Sequence, residues 1–210
     1  MNVLITCFGP YDQFDRNASQ LAMELAKAAY VDADLRGELR GDLQVEWLTL
    51  PVDFEAAPEI LASYLDRHPD VILHVGQAPG ASALRIETRG VNRRQGPHEP
   101  LPSALVDGGA REHDSDLPLS QWLDLLVRRG LPAHLSNDAG DYLCNAVLYH
   151  SLNFAAKSKL PGNATFLHVP LTPEQTTPQY HLASLPAEDS AAAIHCFLHW
   201  ITASRNTHLD

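Results

Sequence analysis

No run of apolar residues in this 210-residue sequence approaches the roughly 18 needed to span a bilayer, so no membrane-spanning helix is expected. Positive charge is scarce too: 15 Lys and Arg stand against 26 Asp and Glu, a formal charge of −11 with His neutral. A surface this acidic repels nucleic acid and anionic lipid at long range, which argues against general binding to either. Cysteine is sparse. Cys7, Cys144 and Cys196 stand far apart, which gives neither a disulfide framework nor a structural zinc site. A reduced, cytoplasmic setting is the natural reading. Met1 to Phe8 has no basic stretch leading into a long apolar one, so no signal peptide is expected. Gly76 to Gly80 lacks the Lys-Ser/Thr of a P-loop, and neither G-x-G-x-x-G nor G-x-S-x-G occurs. Nucleotide-binding and serine-esterase readings lose their main signals.

What is present is a globular composition, 45% apolar, of a length that suits one domain over 1–210 with one core. Short apolar runs alternate with amphipathic stretches, the pattern of βα units. Strands are expected at Val3–Phe8, Val45–Leu50, Val71–Val75, Ala133–Ser136 and Thr165–Val169. Helices are expected after Asn17 (with Leu21, Ala22, Leu25 and Ala28 on one face), over Phe54–His68 (with Ile60, Leu61, Tyr64 and Leu65 inward), and over Gln121–Arg129, Leu143–Lys157 and Glu188–Ser204. Residues 93–120, rich in Pro, Gly, Asp and His, read as a long irregular loop. The expected fold class is α/β: a single-domain three-layer α/β/α sandwich around a mostly parallel, mixed sheet, with function at the carboxyl ends of the strands.

Three residues carry candidate chemistry. Cys144 follows a glycine-containing loop and opens a helical pattern, where the positive end of the helix dipole stabilises a thiolate and backbone N–H groups can hold an oxyanion. The alternative is a buried, inert cysteine. His168 ends an apolar strand just before Pro170 and can serve as general base for a thiol; the alternative is a core histidine. Glu87, in Arg85-Ile86-Glu87-Thr88-Arg89, can orient an imidazole, or can be a surface residue paired with Arg85 or Arg89. His195 and His199 share one helix face and can bind metal, but no carboxylate stands at a recognised spacing and the same helix carries a core stripe.

Taken together, Val75-Gly76-Gln77-Ala78, Glu87, Gly140-x-x-x-Cys144-Asn145 and Phe166-x-His168-x-Pro170-x-x-Pro173-Glu174-Gln175 resemble the pyroglutamyl peptidase I family, the pyrrolidone-carboxylate peptidases. Thr6-Cys7-Phe8-Gly9-Pro10-Tyr11 is similar to the family's T-G-F-x-P-F opening, and the likeness runs from Val3 to Gln175. The resemblance implies a cysteine exopeptidase that removes an N-terminal pyroglutamyl residue from small peptides, with Cys144 as nucleophile, His168 as general base and then acid, and Glu87 as orienting carboxylate. It implies aromatic lactam contacts at Phe8, Tyr11 and Tyr142, with Gln77 beside them. It also implies a cytoplasmic, metal-free homotetramer with no cofactor.

The sequence departs from the pattern at Cys7 (Gly in the family), at Tyr11 and Tyr142 (Phe), at Asp12-Gln13 (Gly-Gly) and in the loop after Asn92. The two extra hydroxyls are expected to point outward or to bond to each other, to Gln77 or to Asp12. If they face the ligand instead, the substrate carries an extra polar group. Two other readings remain: a related cysteine amidohydrolase acting on a different small amide, and a non-catalytic binding protein on the same scaffold.

Overall fold

Strongly apolar strands need cover on both faces, and this chain supplies it with helices between them. The computed structural model describes residues 1–36, 43–96, 99–176 and 181–206. In chain order the elements are β1 (Asn2–Phe8), α1 (Ala18–Leu35), β2 (Gln44–Leu50), α2 (Ala56–Leu65), β3 (Val71–Gln77), β4 (Leu84–Glu87), β5 (Arg89–Val91), β6 (Glu112–Asp114), α3 (Leu119–Arg128), β7 (Ala133–Ser136), α4 (Leu143–Ser158), β8 (Ala164–Val169) and α5 (Ala187–Asn206). Six strands form one sheet in the order β2-β1-β3-β8-β4-β7. Its pairs are parallel except β4 with β8, so β4 and β7 run against the other four. The α/β sandwich around a mostly parallel mixed sheet is as the periodicity suggested. No helix among the described residues is long and apolar enough to cross a membrane.

Alternation along the strands sorts the core into two layers. Val3, Ile5, Leu73, Val75, Leu84, Ile86, Leu167 and Val169 pack against α1, α3 and α5. Leu4, Phe8, Ile72 and Phe166 face the other way, onto α2 and α4. Asn17 caps α1 as expected, its Oδ1 accepting the Ser19 N–H at 3.0 Å.

The structure corrects several details. The buried stripe of α1 is Ala18, Ala22, Met23 and Ala26; Leu25 is 41% exposed. Small residues let α1 lie close to the sheet and to α5. Helix α2 is shorter than expected, because Asp53 Oδ1 accepts the N–H groups of Glu55 and Ala56 and fixes the start there. Ile60 on that helix is 37% exposed rather than inward. The expected 93–120 loop, of which 97–98 lie outside the described residues, contains β6 and the start of α3. Strands β5 and β6 pair antiparallel, tied by Arg89 to Asp114 at 2.7 Å and to Glu112 at 3.0 Å. Gly90 lets this ribbon lie on α4: a Cβ there would meet the Tyr149 backbone at 2.7 Å.

One polar group lies deep under the α4 face. His74 has no exposed surface; its Nδ1 is 2.8 Å from Thr6 Oγ1 and its Nε2 2.9 Å from Ser151 Oγ on α4. Both hydroxyls satisfy a neutral ring, and burial pushes its pKa from 6.5 down to about 3. Between those two values the unfolded chain takes up a proton that the folded chain refuses. Its stabilising share is therefore complete above pH 6.5 and declines as pH falls towards 3. Replacing His74 by Asn should destabilise the fold by about 1–3 kcal/mol near neutrality and by less at pH 4.5, since the variant lacks this protonation penalty. Urea unfolding at the two pH values checks it; equal losses at both would contradict a buried neutral imidazole.

Candidate active site

One face of the sheet builds the site by register. On β8, Phe166 and His168 point towards α4 while Leu167 and Val169 enter the other layer. Opposite Phe166 stand His74 on β3 and Glu87 on β4; opposite His168 stand Gly76 and Arg85. Two rows thus cross the face, Thr6-His74-Phe166-Glu87 and Gly76-His168-Arg85, the second nearer the carboxyl ends of the parallel strands.

Gly76 is a gap in the second row. A Cβ there would sit 2.4 Å from Phe166 Cζ and 3.0 Å from Cys144 Sγ. Without one, the sulfur descends onto the row that holds His168. Helix α4 starts next to Cys144, with Tyr142 as an extended N-cap that makes no side-chain cap bond. The first N–H groups of the helix have no partner within it.

Glu87 is 0% exposed, so it is not the surface carboxylate of the bland alternative. Its Oε1 lies 2.7 Å from His168 Nδ1 and 3.7 Å from Arg85 Nε. Arg89 turns away to Asp114 and Glu112. A carboxylate acceptor fixes the proton on Nδ1 of His168 and leaves the lone pair on Nε2. Burial pushes the His168 pKa below 6.5, against the opposing pull of the Glu87 hydrogen bond and charge. Burial likewise pushes the Cys144 thiol up to about 12, with the Glu87 charge adding to it and the Cys144 N–H and Arg85 opposing. Burial of the partly exposed Cys144 thus outweighs the groups that favour its thiolate, which leaves a neutral thiol near a neutral imidazole, the pair in which His168 serves as base for a thiol.

A pocket of about 90 Å³ opens above the sulfur and gathers Phe8, Tyr11, Gln77, Tyr142 and Cys144. The rings of Tyr11 and Tyr142 are 5.6 Å apart, tilted by 39°. Burial, then the Tyr11 neighbour, pushes the Tyr142 hydroxyl up to about 12. Gln77 ties segments together: its Oε1 accepts from the Ala18 N–H at 2.8 Å and from Gln175 Nε2 at 2.7 Å. A larger open groove of about 930 Å³, between the first turns of α1 and residues 172–175, shares Phe14 with the pocket but holds none of Cys144, His168 and Glu87.

Sequence reasoning gave no role to Asn145. Its Oδ1 accepts the Val91 N–H at 2.8 Å, and its Nδ2 donates to the carbonyls of Val91 and Arg93 at 2.9 and 2.7 Å. The segment after β5 is thereby clamped to the start of α4, with Arg93 Nε on Asp141 at 2.7 Å as a second tie. A fully buried Asn in the first turn of an apolar helix was a readable signal, since such a group needs partners. Phe54 was read as helical; it precedes α2 and stacks edge-on against Tyr142 at 5.0 Å, with the Arg94 guanidinium 4.4 Å above its ring. Among the described residues no three His, Cys, Asp or Glu side chains converge as a metal-ligand group.

A neutral thiol predicts that alkylation of Cys144 by iodoacetamide rises steadily with pH from 6 to 10 and slows in His168→Ala. Rates followed by peptide mapping check it; a plateau already reached near pH 5, the mark of a resting thiolate–imidazolium pair, would contradict it.

Independent comparisons agree on one family. The family model described as pyroglutamyl peptidase matches residues 1–203. The pyrrolidone-carboxylate peptidase of Pyrococcus furiosus is 38% identical over 186 residues, 83% of this chain and 83% of its own. That of Staphylococcus aureus (strain Newman) is 29% identical over 100% of this chain and 97% of its own. Among solved structures, a mutant pyrrolidone carboxyl peptidase of P. furiosus superposes with a TM-score of 0.82 at 33% identity, covering 95% of this chain and 97% of that one. The pyrrolidone carboxyl peptidase of Fervidobacterium islandicum AW-1 gives 0.83 at 26% identity, covering 97% and 99%. A model match over nearly the whole length, with the same fold behind it, means that the chain belongs to the pyroglutamyl peptidase family of cysteine hydrolases.

Proposed function

We propose that this chain removes an N-terminal pyroglutamyl residue from small peptides, with Cys144 as nucleophile, His168 as general base and then acid, and Glu87 as the carboxylate that orients it. The observation that carries this reading is the buried 2.7 Å contact of Glu87 with His168, on the row where Gly76 admits the Cys144 sulfur. Nε2 of His168 takes the thiol proton as the sulfur attacks the pyroglutamyl carbonyl carbon. The N–H groups at the start of α4 receive the developing oxyanion, and the imidazolium forms against Glu87. Collapse breaks the C–N bond, His168 returns its proton to the departing amine, and a thioester remains on Cys144. Water, deprotonated by His168, then hydrolyses the thioester, releasing pyroglutamate and restoring the thiol.

The flat lactam ring suits a small pocket with aromatic faces at Phe8, Tyr11 and Tyr142, and Gln77 holds one wall in place. With their rings 5.6 Å apart, the two phenols stand close enough to meet each other's polar demand, so neither hydroxyl requires a polar group on the ligand. That supports the pyroglutamyl reading over an amidohydrolase for a more polar small amide. The same reading takes 1–210 as one catalytic domain, acting in the cytoplasm and assembling as the homotetramer that the family resemblance implies. Free thiols at Cys7, Cys144 and Cys196 fit a reducing setting.

A panel of fluorogenic amides carrying pyroglutamyl, prolyl, glutamyl and acetyl groups tests it. The pyroglutamyl amide should be cleaved with a clear preference. Cys144→Ala should abolish turnover, Cys196→Ser should preserve it, and the double change Tyr11→Phe, Tyr142→Phe should leave kcat/KM within a few-fold. No cleavage by the native chain, with activity gained in the double variant, would overturn the substrate assignment.

A further inference from the structure

We propose that His195 and His199 of α5 form a chelating site for one divalent transition-metal ion, outside the catalytic pocket. The residues lie one turn apart on the same face of the helix. Their Nε2 atoms are 3.1 Å apart while the ring centroids are 4.8 Å apart, so the nitrogens, not the ring bodies, meet. An ion about 2.0–2.1 Å from each nitrogen would close an N–metal–N angle of about 95–102° across that gap, between octahedral and tetrahedral values.

The site is open on one side and dry on the other. His199 is exposed, while His195 is partly buried with its Nδ1 shielded from solvent. Two features limit affinity. The charge of Arg129 opposes a dication, and His195 Nδ1 has no hydrogen-bond acceptor behind it. Acceptors of that kind are worth about 10–100-fold in metal affinity. No third His, Cys, Asp or Glu among the described residues joins the pair, so water completes the shell. Imidazole pairs of this kind hold Cu²⁺ more tightly than Ni²⁺ or Zn²⁺. Helix α5 packs with α1 and α3 on the sheet face opposite α4, so the ion lies away from Cys144.

The test uses the full chain with Cys144→Ser, which removes the thiol as a competing ligand. Isothermal titration with Ni²⁺ should give one ion per chain, with affinity reduced about tenfold or more by the further change His199→Gln. Paramagnetic resonance of the Cu²⁺ form should show coupling to two imidazole nitrogens, reduced to one or none by the same change. The melting temperature should rise with Ni²⁺ and return with EDTA only where His199 is present. Since His199 is exposed, its replacement should leave the ion-free melting temperature unchanged and, in the chain with Cys144 intact, peptidase activity unchanged as well. No saturable binding, or binding and spectra that His199→Gln does not alter, would overturn the proposal and leave the pair as an imidazole–imidazole hydrogen bond.

Discussion

A carboxylate with no exposed surface lies between β4 and β8, and the site is arranged around the need to satisfy it. Taking an ion of that kind out of water costs several kcal/mol unless partners replace the water. Glu87 finds His168 at 2.7 Å and Arg85 at 3.7 Å through Oε1, its Oε2 lies buried without a hydrogen-bond partner, and the Thr165 hydroxyl binds its backbone carbonyl at 2.9 Å. These partners depend on the antiparallel register of β4 on β8. A slip of one residue would turn Glu87 into the layer of Leu84 and Ile86. The reversed strand in an otherwise parallel core thus has a chemical use: it brings a carboxylate from the far side of β8 to the imidazole.

The sulfur arrives from the helix layer instead. Gly76 leaves the space, the start of α4 supplies the N–H groups, and Asn145 anchors the neighbouring segment with three hydrogen bonds. The dryness that holds these parts in place also raises the Cys144 thiol and lowers His168. In the proposed mechanism both groups rest uncharged, so charge separation is deferred until the sulfur meets a carbonyl carbon. At that moment the oxyanion, the imidazolium and the carboxylate each have a partner already in position.

The strands that alternate in a long apolar pattern were legible: β1, β2, β3, β7 and β8 lie where periodicity puts them, and α4 starts at Leu143 as read. Strand β4 was not. Leu84 and Ile86 face the core, but Arg85 and Glu87 between and after them look like a polar loop, because the burial of Glu87 depends on a partner 81 residues away in His168. The three-residue strands β5 and β6 are held by ion pairs and by contact with α4, neither of which leaves a periodic trace. At the site, residue types and order named Cys144, His168 and Glu87, but not the electrostatics. The helix start at Cys144 was legible as a place that stabilises a thiolate, but the burial that pushes the thiol up shows only in the packed structure.

The role of the buried carboxylate is tested most directly by the pH dependence of kcat/KM on a pyroglutamyl amide for the native chain and Glu87→Gln. The account predicts a native acid limb below the ordinary imidazole value, because burial lowers His168. Since the Glu87 hydrogen bond and charge both raise His168, their removal should move that limb to still lower pH. It should also cut kcat by about 10²–10⁴-fold, through loss of the fixed tautomer and of the stabilised imidazolium. A Glu87→Gln variant with native kcat and an unmoved acid limb would contradict it.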